Sequence, residues 1–165
     1  MRCLLDAPVI GIGEADCRAV AMLAHRFSVV TTLSRPVAGM SANPGRYGPD
    51  ARCASVRATD SPVMNLEDGT PASVDRMCAR IAAAIAEDKA EAIVLGCAGP
   101  AVPMQALSAD VGIPVIDGIS CAVGGTEAPV AAALSTSKAR TYHAVTENRT
   151  SGRALRAPAD PASAG

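Results

Sequence analysis

An almost wholly apolar run at residues 92–96, Ala-Ile-Val-Leu-Gly, constrains the fold more than any other feature of the sequence. A strand with one solvated face alternates apolar and polar residues, whereas a run without alternation is typical of a strand buried on both faces of a parallel sheet. The run therefore predicts an α/β fold in which a parallel sheet carries helices on both faces.

Strand-type and helix-type segments alternate along the rest of the chain, which is the order expected for a parallel α/β sheet. Strands are predicted at residues 8–12, 27–32, 52–56, 92–96 and 113–118. Helices are predicted at residues 14–26, from residue 70 onward, for about ten residues after Gly99, and at residues 119–134. Residues 36–50 contain three Pro and three Gly and are predicted to form a loop with a turn of helix.

Two of these helices have predicted apolar faces. In the first helix, Ala19, Met22 and Leu23 are spaced to share one face. In the second, Thr70 can cap the N-terminus, and Pro71 suits the first helical position because its missing N–H needs no partner there. The apolar stripe of this second helix consists of Val74, Met77, Cys78, Ile81 and Ile85.

Composition and charge limit the kinds of molecule that the chain is expected to bind. The chain has 15 basic and 16 acidic side chains, a net charge of -1 and only 2% aromatic residues. This balance argues against a nucleic-acid partner, because neither a basic surface nor base-stacking platforms are available. No apolar stretch approaches the ~18 residues that cross a bilayer, and the first residues lack the apolar core of a secretory signal. We expect a cytoplasmic protein with a small-molecule ligand and no membrane partner.

The carboxyl ends of the predicted strands are where chemistry is expected, because ligands of open parallel sheets bind beyond those ends. The candidate ends are residues 11–14, Thr31 with Thr32, residues 96–99, and Asp117 with Gly118. Residues 11–14 read GIGE, which lacks the third glycine of a dinucleotide-binding fingerprint. The hydroxyls of Thr31 and Thr32 could donate hydrogen bonds either to a ligand oxygen or to their own turn.

Cys97 is the outstanding cysteine among the six, which lie at positions 3, 17, 53, 78, 97 and 121 without the spacing of a zinc site. It directly follows the buried strand, lies between Gly96 and Gly99, and precedes a predicted helix. Unpaired N–H groups and the dipole of a following helix would lower the pKa of a thiol at this place. Cys97 is therefore predicted to be a functional thiol, with an inert buried thiol as the alternative.

Five segments in order and spacing resemble the hydantoin racemase branch of the aspartate/glutamate racemase superfamily, which includes allantoin racemases. They are APVIGIGEA at 7–15, RFSVVTTL at 26–33, RCASVR at 52–57, AIVLGCAG at 92–99 and GIPVIDG at 112–118. The resemblance covers about residues 5–138. Each segment is a weak signal alone, and the ordered set is a specific one.

The resemblance implies a cofactor-independent racemase or epimerase without a bound metal. In this family, two α/β lobes each contribute a cysteine, and the substrate carbon next to a carbonyl lies between the two thiols. The implied substrate is a hydantoin, allantoin or an amino-acid-like compound. The resemblance assigns Cys97 as the catalytic cysteine of the second lobe. It assigns substrate contacts to Thr31, Thr32, Gly96, Ala98 and Gly99.

The same comparison predicts how the chain is organised. Residues 1–25 correspond to a remnant of the first lobe, 26–118 to a complete second lobe, 119–147 to a helix returning toward the first lobe, and 148–165 to a disordered tail. Cys3 does not match the position of the first-lobe cysteine. We therefore expect poor racemisation by this chain alone, together with exposed apolar surface that favours a homo-oligomer. A single-cysteine decarboxylase and a non-catalytic remnant are the alternatives.

Overall fold

A computed structural model describes residues 1–35, 37–41, 43–48, 50–60, 70–96 and 103–143. Its centre is a four-stranded parallel sheet in the order β2-β1-β3-β4. The strands are β1 (Phe27–Thr31), β2 (Cys53–Ala58), β3 (Ala92–Leu95) and β4 (Val115–Asp117). The predicted parallel α/β fold is confirmed.

Helices precede, connect and follow these strands. They are α1 (Ile12–Leu23), α2 (Val37–Ser41), α3 (Asn43–Tyr47), α4 (Pro71–Asp88), α5 (Met104–Val111) and α6 (Gly118–Ala131), with short 3₁₀ turns at Asp50–Arg52 and Arg140–Tyr142. Within the described ranges, none of the helices combines the length and apolarity needed to span a bilayer. The predicted helix after Gly99 is α5, whereas residues 97–102 and the predicted tail at 148–165 lie outside the described residues.

Two apolar layers cover the sheet, one on each face. Met77 and Ile81 of α4 and Leu107 of α5 pack on one face against Ile93 and Leu95. On the other face, Val20 of α1 and the partly buried Cys121 of α6 pack with a second cluster. The sheet residues of that second cluster are Phe27, Val29, Ala92, Val94 and Ile116. Each residue of β3 therefore fills one layer or the other, as the unbroken apolar run predicts.

Residues 8–11 are not a strand, contrary to the prediction for 8–12. They have no regular secondary structure, and α1 begins at Ile12 with Gly11 as its N-cap. A strand needs a neighbouring strand to receive its N–H and C=O groups, and in the described part of the chain none pairs with this segment. An apolar sequence of four or five residues does not by itself supply that partner.

The buried face of α1 also differs from the predicted one. Met22 and Leu23 are 81% and 60% exposed, whereas Val20 is fully buried. The same buried side of the helix includes Asp16 and Cys17. Because a carboxylate interrupts the apolar stripe, the hydrophobic pattern points to the wrong face of α1.

A network of polar side chains ties the edge strand β2 to the centre of the sheet. The Arg57 guanidinium donates to both oxygens of Asp88, at 2.7 and 2.6 Å, and the hydroxyls of Ser55 and Ser28 donate to Asp88 Oδ2. Hydrogen bonds from Arg57, followed by those from Ser55 and Ser28, hold the pKa of the Asp88 carboxyl well below its usual range. One carboxylate thereby joins β1, β2 and the end of α4.

Substitution of Asp88 by Asn should lower the free energy of unfolding at pH 7 by about 2–4 kcal/mol, because Arg57 loses the more buried of its two charged partners. The folded-state pKa of Asp88 is lowered, so its contribution is present above the unfolded value of about 3.9 and is lost as the pH falls. Urea unfolding at pH 7 and pH 3 should show a smaller difference between the wild type and Asp88→Asn at pH 3, where the unfolded chain already binds the proton.

Glu87→Gln is the matched control, since Glu87 also pairs with Arg57 but its side chain is 67% exposed. An exposed pair of this kind is worth less than about 1 kcal/mol. Equal losses in the two variants at pH 7 would contradict the role given to Asp88.

Candidate active site

The sheet has a topological switch point between β1 and β3. After β1 the chain passes through α3, which packs against α1, whereas after β3 it passes through α5 on the opposite face. The two connections diverge at the carboxyl ends of the two central strands, which is the arrangement that forms a binding crevice in open α/β sheets. Crevices of this kind are where open α/β sheets bind their ligands.

Thr31 and Gly96 lie together at this switch point. The Gly96 N–H donates to the Val30 carbonyl at 2.8 Å and extends the β1–β3 ladder by one step. The Thr31 Oγ1 donates to the Gly96 carbonyl at 3.4 Å, and Thr31 is only 2% exposed. The end of β3 is therefore fixed to the end of β1 through both the backbone and a side chain.

Thr32 is held from the other side of β1. Its carbonyl accepts a hydrogen bond from the Thr59 hydroxyl at 3.2 Å, while the Thr59 N–H donates to the Thr31 carbonyl at 2.8 Å. The Thr32 side chain itself makes no hydrogen bond to any residue of the described ranges. The Thr31 hydroxyl thus binds the neighbouring strand end rather than its own turn, and the predicted substrate contacts of Thr31 and Thr32 stay predictions.

Around the predicted catalytic thiol, the structure describes Gly96 but not Cys97 itself. Cys97, Ala98 and Gly99 lie outside the described residues, so their assigned roles stay predictions. Gly96, which precedes Cys97 in the sequence, is at the switch point. The structure thus brings together Thr31, Thr32 and Gly96 from the predicted set.

Burial makes three other cysteines poor nucleophiles. Desolvation, followed by the nearby charge of Asp16, raises the pKa of Cys17 to about 11. Desolvation is also the main cause that raises the pKa of Cys78 and of Cys121. A thiol must ionise before it acts as a base or nucleophile, so these three are protonated at neutral pH.

A buried carboxyl on α1, facing the start of α6, has no counterpart in the sequence prediction. Asp16 is 5% exposed, and its Oδ1 has no hydrogen-bond partner in the described structure. It faces Gly118, where an added Cβ would lie 2.8 and 2.9 Å from the two carboxyl oxygens. Desolvation, with a smaller effect of the Asp117 charge, raises the pKa of Asp16 to about 7.

A sequence signal for Asp16 does exist. Positions 12, 16 and 20 follow the four-residue spacing of one helix face, and Val20 is fully buried, so Asp16 falls on the core-facing stripe of α1. Its neighbour Glu14 is buried too, yet it has partners. Hydrogen bonds from Arg18 and Arg2 outweigh the desolvation of Glu14 and lower its pKa.

The two ends of the described chain meet beside α1. The Thr136 N–H and hydroxyl donate to the carbonyls of Asp6 and Ala7, both at 2.7 Å, and Lys138 Nζ donates to the Leu5 carbonyl at 2.6 Å. Arg2 lies 5.6 Å from the centre of the Tyr142 ring. Residues 1–9 are thus held by the segment that follows α6.

No group of three or more His, Cys, Asp or Glu side chains in the described ranges is arranged to bind a metal ion.

Replacing Asp16 with Asn should stabilise the protein at pH 8 and have little effect near pH 4. The raised folded-state pKa means that the folded protein holds a proton that the unfolded chain releases. Wild-type stability therefore falls as the pH rises from about 4 to about 7 and then levels. The expected gain at pH 8 is on the order of 3 kcal/mol, or several degrees in Tm.

Thermal unfolding monitored by circular dichroism between pH 4 and pH 8 measures this effect. Asp75→Asn, which changes an exposed acid on α4, serves as the control and should leave the pH profile unchanged. A profile of Asp16→Asn that remains parallel to that of the wild type would rule out a buried, protonated Asp16.

Known proteins match the chain in both sequence and fold. The sequence profile of the Asp/Glu/Hydantoin racemase family matches residues 1–126. A hydantoin racemase of Rhizobium meliloti is 43% identical over 135 residues, which is 82% of this chain and 56% of that protein. A hydantoin racemase of Pseudomonas sp. (strain NS671) is 39% identical over 137 residues, 83% of this chain and 55% of that protein.

The structural comparison gives the same result. Allantoin racemase from Klebsiella pneumoniae superposes with a TM-score of 0.84 at 41% identity, covering 92% of this chain and 62% of that one. The chain spans 55–62% of the lengths of these three relatives. The matches confirm the resemblance and the α/β architecture inferred from the sequence.

Proposed function

The chain belongs to the Asp/Glu/hydantoin racemase family, and on that premise we propose that Cys97 removes and returns the proton on a carbon next to a carbonyl group. The proposed substrate is a hydantoin, allantoin or an amino-acid-like compound, and no cofactor takes part. The observation that carries the proposal is the hydrogen bond from the Thr31 hydroxyl to the Gly96 carbonyl. It fixes the backbone immediately before Cys97 at the end of the sheet where ligands of such folds bind.

The proposed chemistry is an acid–base exchange at carbon. The Cys97 thiolate takes the proton, the electron pair of the C–H bond passes into the adjacent carbonyl, and a planar enolate-like centre forms. Hydrogen-bond donors beside the oxygen stabilise its developing charge. Return of the proton to the same face restores the starting configuration, whereas inversion requires a second acid on the opposite face.

A thiol suits this task because its ordinary pKa of about 8.5 is close to neutrality and is readily lowered by backbone donors. Gly96 supports the proposal in a second way, since a residue without a side chain lets a ligand approach the end of β3. Thr32 adds a hydroxyl with no described partner at the same edge, which suits a substrate oxygen or N–H.

The 165-residue chain should exchange the substrate proton faster than it inverts the substrate. We expect deuterium to enter (S)-5-benzylhydantoin in D₂O, measured by mass spectrometry, well before optical rotation is lost, because Cys97 works from one face. Cys97→Ser should lower the exchange rate by about 100-fold or more. Cys3→Ser, a change outside the proposed site, should leave it unchanged.

The outcomes separate the alternatives. Exchange that persists in Cys97→Ser would refute the proposed role of the thiol, and no exchange above the buffer rate would favour a non-catalytic remnant. Rotation lost as fast as deuterium enters would contradict the one-face mechanism. Release of CO₂ from an arylmalonate by the wild type, and its loss in Cys97→Ser, would favour the single-cysteine decarboxylase.

Thr31 should act as a positioning residue. Thr31→Val removes the hydroxyl that holds the Gly96 carbonyl, and we expect the exchange kcat to fall about tenfold while KM changes little, because misplacement of a catalytic group costs rate more than binding. Thr31→Ser keeps the hydroxyl and should restore most of the rate. A loss of equal size in both variants would indicate a role in packing only.

Cellular location and assembly belong to the same proposal. Cytoplasmic location and a homo-oligomeric state remain expectations for this chain. Ile119, Val123 and Val130 of α6 are each between 44% and 56% exposed, which supports the expectation of association.

A further inference from the structure

A separate cavity of about 670 Å³ opens between α1, α6 and the segment that leads into β2. Its lining includes Cys17 and Met22 of α1, Cys121 and Gly124 of α6, and Tyr47 and Arg52. Thr31, Thr32 and Gly96 are not among its described lining residues. Arg52 immediately precedes β2, so this cavity lies along the α1 and α6 face and extends toward the amino ends of the strands.

We propose that this cavity binds a small apolar carboxylate. Its volume is within the range of about 300–1,000 Å³ that is typical of small-molecule sites, which are mostly apolar with a few placed polar groups. The inference is independent of the chemistry proposed for Cys97.

The wall of the cavity is apolar despite its two thiols. Burial, together with nearby carboxylates, raises the pKa of Cys17 to about 11 and also raises the pKa of Cys121, so both sulfurs are neutral at physiological pH. A neutral thiol behaves as a small, polarizable apolar group. Gly124 leaves room beside them, because an added Cβ would meet no atom within 4 Å.

Arg52 gives the cavity its preference for an anion. Its Nη1 donates to the Ala21 carbonyl at 2.9 Å, which anchors the guanidinium, and its other N–H groups make no hydrogen bond to a described residue. Arg18 also lines the cavity, but its guanidinium is paired with Glu14 at 2.8 Å. A guanidinium with free parallel donors matches the geometry of a carboxylate.

Matched probes test the two halves of the proposal. Isothermal titration with 2-naphthoate and with uncharged 2-naphthamide should show tighter binding of the carboxylate by about tenfold or more. Arg52→Gln should weaken 2-naphthoate by a similar factor and leave 2-naphthamide unchanged. Arg80→Gln, which changes an exposed arginine on α4, should alter neither.

A second pair of variants tests the place of binding. Gly124→Leu should fill the cavity and abolish binding of both probes, and it should not disrupt α6, because replacing a helical glycine favours the helix. Ala131→Leu places the same side chain at an exposed position of α6 and should have no effect. Melting curves of each variant verify that it is folded.

The rate of cysteine alkylation reports directly whether the probe occupies the cavity. At pH 9, saturating 2-naphthoate should slow iodoacetamide modification of Cys121 by at least about fivefold, and modification of Cys78 on the opposite face should not change. Equal affinity for the two probes would overturn the preference for an anion. Undiminished binding to Gly124→Leu, or equal protection of Cys78 and Cys121, would overturn the cavity as the site.

Discussion

The complete burial of β3 between two apolar layers is the constraint on which the rest of the structure depends. Ile93 and Leu95 face α4 and α5, while Ala92 and Val94 face the layer formed with α1 and α6. A strand buried on both faces needs hydrogen-bonded neighbours on both edges, and β1 and β4 supply them. Because the connections after β1 and β3 leave on opposite faces, the carboxyl ends of these two strands form the topological switch point of the sheet.

The groups at this switch point are joined to one another by hydrogen bonds within the protein. Thr31 uses its hydroxyl on the Gly96 carbonyl, and Thr59 secures β1 from the side of β2. Polar groups buried without partners are costly, so this arrangement stabilises the edge at which the substrate is proposed to bind. The residue that the hydrogen bonds hold in place, Gly96, therefore directly precedes Cys97, for which the reactivity is proposed.

The sheet could be predicted from the sequence because three of its four strands are short and mostly apolar and its longest described helix has a regular stripe. Met77 and Ile81 are fully buried, as that stripe predicts. Residues 8–11 show the limit of the method, because a run of apolar residues specifies a strand only when a partner strand is available. The face of α1 was predicted wrongly because Asp16, a polar residue, lies on the core side.

The edge of the sheet that holds the candidate residues could be predicted for the same reasons, while the roles of those residues stay predictions. The strand ends follow from the order of elements, so Thr31, Thr32 and Gly96 could be chosen from the sequence. Side-chain partners such as Arg57 with Asp88, 31 residues apart, depend on tertiary contacts that no local pattern encodes. The cavity beside Arg52 likewise arises only when three separate segments pack together.

Gly118 restricts the order in which this protein can evolve. A methyl group at that position would approach Ile12 Cγ2 to 2.2 Å as well as the Asp16 carboxyl, so an alanine there requires both side chains, or α1 itself, to move. A larger residue at position 118 is therefore accommodated more easily after positions 12 and 16 have become smaller. Among homologues, these three positions should vary as a set.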